Sequence, residues 1–178
     1  MAYIDGGARG NPGPAGYGVV IEDEVGHAVA GLSEYLGRQT NNYAEYSGLL
    51  GALSYAVKHG SKGLQVISDS ELMVKQIKGQ YKVNNPALKQ LHTQAMKLID
   101  QLEHFEIKHV LREKNREADR LANLAMDRGA SKSMATPART EVSATPVREV
   151  NGVVRGGTVQ FLGDPLPEGT LVRIRPAK

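Results

Sequence analysis

The sequence predicts an α/β fold, a mixed five-stranded sheet flanked by helices, followed by a small C-terminal β appendage. Three observations carry this. Residues 1–36 read as strands separated by glycine-rich and acidic turns, which is the pattern of an antiparallel meander. Apolar residues then recur at three- and four-residue steps, as Tyr46, Leu49, Leu50, Leu53 and Val57 and again as Leu88, Leu91, Ala95, Leu98, Ile99 and Leu102, the mark of amphipathic helices. Two short apolar runs, Leu64–Ser68 and Phe105–Leu111, lie between helical stretches, and a strand reached through a helix runs parallel to the strand it left.

Taken in order, Tyr3, Ile4 and Asp5 open the first strand, which is expected to break into a turn at Gly6, Gly7 and Gly10 and resume at Gly16–Glu24. Asp23-Glu24-Val25-Gly26 turns the chain into a third strand, His27–Leu36. Thr40 or Asn41 is placed to cap a helix running to about Lys58. The Leu64–Ser68 strand ends at Asp69, Ser70–Lys78 forms a short helix closed near Gly79, and Pro86–Glu103 forms a longer one. After the Phe105–Leu111 strand and the charged turn Arg112-Glu113-Lys114, a last helix runs from Asn115 to Asp127 and stops at Gly129.

This divides the chain into a main domain over 1–129, a linker over 130–145 rich in Ala, Ser, Thr and Pro, and a β tail over 146–178. The tail carries turn signals at Asn151-Gly152, Gly156-Gly157 and Gly163-Asp164-Pro165, with Val172 and Ile174 alternating against Arg173 and Arg175. A β segment this short buries little core by itself, so it is expected to bind nucleic acid, dock on the domain or mediate dimerisation.

At 178 residues, 40% hydrophobic and 23% charged, the composition is that of a globular protein rather than a disordered one. No apolar run reaches the length of a membrane span and no basic-then-apolar leader follows Met1, so a cytoplasmic location is expected, with no membrane partner. The chain has no cysteine, which removes disulfides and thiolate chemistry. Acids and bases balance over 1–129, and the net +3 comes from residues 130–178. The main domain is therefore no general polyanion binder, and phosphate contacts there must be local.

The chemistry lies in four acids: Asp5 within the first strand, Asp69 at the end of a strand expected beside it, Glu45 in the early turns of the helix between them, and Asp119 one turn into the last helix. The predicted order puts all of them at one end of the sheet. Converging carboxylates without basic partners repel one another unless divalent cations sit between them, and oxygen-only ligands favour Mg²⁺ or Mn²⁺. Two such ions roughly 4 Å apart activate a water and stabilise the leaving oxygen of a phosphodiester. The reaction class is metal-assisted phosphodiester hydrolysis.

Five segments carry a more specific signal: Tyr3-Ile4-Asp5-Gly6, Gly10-Asn11-Pro12-Gly13-Pro14, Thr40-Asn41-Asn42-Tyr43-Ala44-Glu45, Ser68-Asp69-Ser70 and Arg116-Glu117-Ala118-Asp119-Arg120-Leu121-Ala122. In this order and spacing they resemble ribonuclease H, type 1, over residues 1 to about 129. The resemblance implies a ribonuclease H-like sheet and an endonuclease that cuts the RNA strand of an RNA·DNA hybrid. It makes Asp5, Glu45, Asp69 and Asp119 the catalytic, metal-binding acids with two Mg²⁺ ions. It makes Asn11, Asn41 and Asn42 contacts to the hybrid's minor groove, where 2′-hydroxyls distinguish RNA from DNA, and Thr40 a contact to a phosphate of the DNA strand. The glycines after Asp5 would let the backbone approach the hybrid.

The chain departs from the family in two places. Many members carry a histidine in a loop ahead of the last helix; here that loop is shortened to Leu111–Asn115 and has none, and His109 falls in the strand. Arg112 is the candidate substitute, a cation near the scissile phosphate. Where some members insert a basic helix, Gly79–Pro86 offers only Lys75, Lys78 and Lys82 nearby, so the grip on a hybrid is lighter or the tail supplies it.

Each residue alone also has an ordinary explanation. Asp5 would cap a turn, Glu45 would meet a helix dipole, Asp119 and Arg112 would be solvated charges, Asn11 would be a turn residue, and Asn41 and Asn42 helix caps. The acids gain their force from combination. The competing functional readings are a nuclease that also cleaves double-stranded RNA and a non-catalytic hybrid-binding module.

Overall fold

In a computed structural model, residues 1–134, 151–155 and 158–162 are described. They form strands β1 (Ala2–Ala8), β2 (Gly13–Glu22) and β3 (Ala28–Gln39), helix α1 (Asn41–Lys58), strand β4 (Gly63–Ser68), helices α2 (Glu71–Ile77) and α3 (Pro86–Ile99), strand β5 (His104–His109), a 3₁₀ turn at Arg112–Lys114 and helix α4 (Arg116–Met134). A separate unit holds β6 (Asn151–Arg155) paired antiparallel with β7 (Thr158–Leu162). The expected strand at 170–175 and most of the expected linker lie outside the described residues.

The sheet order is β3-β2-β1-β4-β5. The first three strands form the expected antiparallel meander, and β4 and β5 run parallel, with Ile4 opposite Ser68 and Val66 opposite Ile107. This is the mixed five-stranded sheet that the sequence predicts. The core lies between the sheet and α1 to α3, where Ile4, Val19, Tyr46, Leu49, Leu53 and Val66 are each at most 1% exposed. Removing that apolar surface from water is the main force holding the layers together. On the other face α4 lies against β2, with Ala118 and Ala122 fully buried.

Two glycine readings are corrected. The break expected at Gly6 is absent, because β1 runs through it to Ala8. A Cβ on Gly6 would sit 2.2 Å from the backbone of Ala44 and Glu45, so the glycine serves the close approach of α1 to β1 rather than a turn. Gly129 does not end α4 either, since the helix continues to Met134. A Cβ there would lie 2.1 Å from the Tyr35 ring, so packing against β3, not helix termination, accounts for the residue. Ends of other elements shift by a turn or less: α3 closes at Ile99 with Asp100 as its C-cap, and β5 ends at His109, leaving Leu111 exposed.

Candidate metal centre

The site forms where the carboxyl ends of β1 and β4 meet the first turns of α1 and α4. Strand alternation turns Asp5 away from the Ile4 core, and the parallel pairing of Ile4 with Ser68 sets Asp69, the next residue, beside it. Thr40 caps α1, its Oγ1 accepting from the Tyr43 N–H at 3.3 Å, and this places Glu45 in the second turn over Gly6. Ligand oxygens of Asp5, Glu45 and Asp69 all lie within 4.8 Å of one another.

Asp5 and Glu45 are buried, 7% and 6% exposed. Burial first, then the charges of Asp69 and Asp119 and a hydrogen bond with Asp69, push the Asp5 carboxyl up from 3.8 to about 7. Burial again, then the charges of Asp5 and Asp69, hold Glu45 well above the usual carboxylate range. Asn41 Nδ2 donates to Glu45 Oε1 over 3.5 Å, and Glu45 Oε2 is buried with no partner among the described residues. An orphaned carboxylate oxygen, an all-oxygen donor set and mutually repelling acids together lack one thing, positive charge. A divalent cation of the Mg²⁺ or Mn²⁺ type fits that need.

Asp119 stands beside this cluster rather than in it. Its Oδ1 accepts from the Arg112 guanidinium, and its Oδ2 accepts from Asn123 Nδ2 at 3.2 Å. Its charge nevertheless raises Asp5, and that of Arg112 opposes the rise. Arg112 itself is 73% exposed, so its cation faces the mouth of the site.

The expected substrate-facing residues line the rim as exposed side chains that are partly engaged with one another. Asn11 Oδ1 accepts from the Asn41 N–H and Asn41 Oδ1 accepts from the Ala8 N–H, both at 3.2 Å, joining the β1–β2 turn to the start of α1. Thr40 is the helix cap, and Asn42 is exposed on the first turn.

Sequence reasoning overlooked Asn115 and Asn123 as site residues. Asn115 is 1% exposed, and its Nδ2 donates to the Ile4 carbonyl at 2.8 Å and to Asp69 Oδ1 at 3.1 Å. Its place at the head of a helix made capping the natural reading. The four-residue step from Asn115 to Asp119 and from Asp119 to Asn123 was the available signal, since it stacks all three on one helix face. A concavity of about 690 Å³ between β2, β3 and α1, lined by Tyr17, Leu32, Tyr43 and Tyr55, contains none of the acids. The acid cluster thus lies outside that concavity, at the β1–β4 junction.

The reverse transcriptase-like family model matches residues 3–125. A bifunctional protein of Mycobacterium tuberculosis is 44% identical over 142 residues, covering 79% of this chain and 39% of the relative, so the chain spans about two-fifths of the length of the mycobacterial relatives it matches. The crystal structure of RNase H1 from the halophilic archaeon Halobacterium salinarum is 41% identical, with a TM-score of 0.69 over 71% of this chain and 96% of that one. The LC11 RNase H1, solved with an RNA/DNA hybrid, is 43% identical, with a TM-score of 0.69 over 72% and 97%. No helix among the described residues is long and apolar enough to cross a membrane. Five strands in this order, an acid cluster at the β1–β4 junction, and identity above 40% to RNase H1 chains covered almost whole carry one conclusion: the chain belongs to the ribonuclease H family, type 1.

Proposed function

We propose that the chain is a metal-dependent endoribonuclease that hydrolyses the RNA strand of RNA·DNA hybrids, acting in the cytoplasm. The observation that carries it is the convergence of Asp5, Glu45 and Asp69 oxygens within 4.8 Å, with one Glu45 oxygen buried and unpartnered. Asp5, Glu45, Asp69 and Asp119 are the metal ligands of this reading, with two Mg²⁺ ions as the cofactor and Mn²⁺ as an accepted replacement. When bound, the ions supply water activation and stabilisation of the leaving oxygen.

The chain's own groups do the rest. The buried acids of β1 and α1 hold negative charge that is relieved by protonation in the metal-free chain and by cation binding in the loaded one, so a divalent ion bound there displaces protons. Arg112 holds Asp119 in place through one terminal nitrogen and presents the rest of an exposed guanidinium, whose remaining N–H groups can donate to a phosphate. Asn11, Asn41 and Asn42 form the polar rim that meets the minor groove and reads the RNA strand through its 2′-hydroxyls, while Thr40 meets a phosphate of the DNA strand.

In this reading the catalytic domain, expected over 1–129, extends to the end of α4 at Met134, with the linker following it to 145 and 146–178 the β tail. The tail binds nucleic acid through Arg148, Arg155, Arg173 and Arg175, which supports the lighter grip expected near Gly79–Pro86. The deciding experiment presents defined RNA·DNA hybrid, double-stranded RNA and double-stranded DNA to the chain with Mg²⁺ and with excess chelator. Mg²⁺-dependent cleavage of the hybrid alone is expected. Equal cleavage of double-stranded RNA would broaden the substrate, and hybrid binding without cleavage would replace the enzyme by a binding module.

A further inference from the structure

We infer that Asn115 is a positioning residue of the metal centre, whose carboxamide fixes the Asp69 carboxylate against β1 while its backbone sets the turn of α4 that carries Asp119. The inference rests on the metal-centre reading above. The two N–H bonds of one carboxamide nitrogen serve two acceptors at once, the Ile4 carbonyl at 2.8 Å and Asp69 Oδ1 at 3.1 Å. Ile4 directly precedes Asp5, so the same nitrogen ties the strand that bears one acid to the side chain of another. The backbone adds two further links: the Asn115 N–H donates to the Arg112 carbonyl at 2.9 Å, and the Asn115 carbonyl accepts from the Asp119 N–H at 3.1 Å.

The amide orientation follows from its neighbours. Both partners are acceptors, so the flipped amide would set oxygen against oxygen. This leaves Asn115 Oδ1 buried with no partner among the described residues. An asparagine that merely capped α4 would do the opposite, turning its oxygen onto a free N–H of the first helical turn. Asn115 instead leaves its oxygen unsatisfied and directs its nitrogen to the carboxylate, an arrangement that costs stability and orders the acid. Partners of this kind set the orientation of metal ligands, and their loss typically lowers metal affinity or activity roughly 10- to 100-fold.

The test measures Mg²⁺ binding by titration calorimetry on the full chain without nucleic acid, together with the rise in Tm on adding Mg²⁺. In Asn115→Ala the Mg²⁺ dissociation constant should rise about tenfold or more and the Mg²⁺-induced rise in Tm should shrink. In an Asp69→Asn background the same substitution should change affinity by less than about threefold, because the carboxylate it orders is gone. Unchanged affinity with only a lower Tm, or an undiminished loss in the Asp69→Asn background, overturns the inference and leaves the metal centre standing. A parent chain that binds no Mg²⁺ removes both. Should Asn115→Ala not fold, Asn115→Ser, which retains a hydroxyl but cannot span both acceptors, is read by the same criteria. If neither folds, Asn115 is a structural keystone and the positioning role falls.

Discussion

The ligand oxygens of Asp5 and Asp69 lie within 4.8 Å of each other across the β1–β4 pair. Burial of Asp5 and the neighbouring Asp69 charge both disfavour its ionised form and push its carboxyl up to about 7.

The first prediction follows from the sign of that shift. The folded value lies above the unfolded one, so the contribution of Asp5 to stability is fully present below about pH 4 and is lost as pH rises through 7. Urea unfolding of the metal-free chain should show stability falling across this window. Asp5→Asn should then be more stable than the parent at pH 8, by on the order of 2 kcal/mol. Stability indifferent to pH between 4 and 8, or a destabilised Asp5→Asn, would contradict the burial and repulsion described for this acid.

The second concerns chemistry. Asp5→Asn and Asp69→Asn should each lower kcat on a hybrid by about 10³-fold or more, some 4 kcal/mol of barrier, with far-ultraviolet circular dichroism unchanged. Substantial activity in either variant would sink the role of these acids as metal ligands.

Arg112 offers a separable test. Arg112→Ala should reduce kcat about 10- to 100-fold while Arg112→Lys recovers part of it, a charge without the planar fork. Its exposed pairing with Asp119 contributes no more than about 1 kcal/mol to folding, so Tm should barely move. A large drop in Tm with kcat retained would make Arg112 a structural residue only.

Gly129→Ala distinguishes the helix from its packing. In an isolated helix the change stabilises by about 0.5–1 kcal/mol. Here the added methyl meets the Tyr35 ring, so a loss of about 1–3 kcal/mol is expected, shrinking in a Tyr35→Ala background. A simple gain in stability would mean that α4 has slack against β3.

Removing the tail after Met134, where α4 ends, should raise KM for a hybrid several-fold at low salt and by less at higher salt, with kcat at saturation nearly unchanged. An unchanged KM accompanied by a shift from dimer to monomer in light scattering would assign the tail to assembly.

Sequence by itself determined the element order and the sheet, because apolar periodicity is local: Leu49 and Leu53 on one helix face, and the Leu64–Ser68 run ending at an acid, can be read without knowing what they pack against. It also pointed to the acids, since four carboxylates at successive strand and helix ends converge on one end of the sheet. Tertiary structure alone decided their states. Asp119 pairs with Arg112 while Asp5, Glu45 and Asp69 cluster, a division that depends on where α4 lies on β2. Asn115 reaches a carbonyl 111 residues away, and Gly6 and Gly129 answer to a helix and a ring far along the chain. Close approach and hydrogen bonding between distant segments arise only when every layer is packed, whereas the residues that make them carry only local preferences in the sequence.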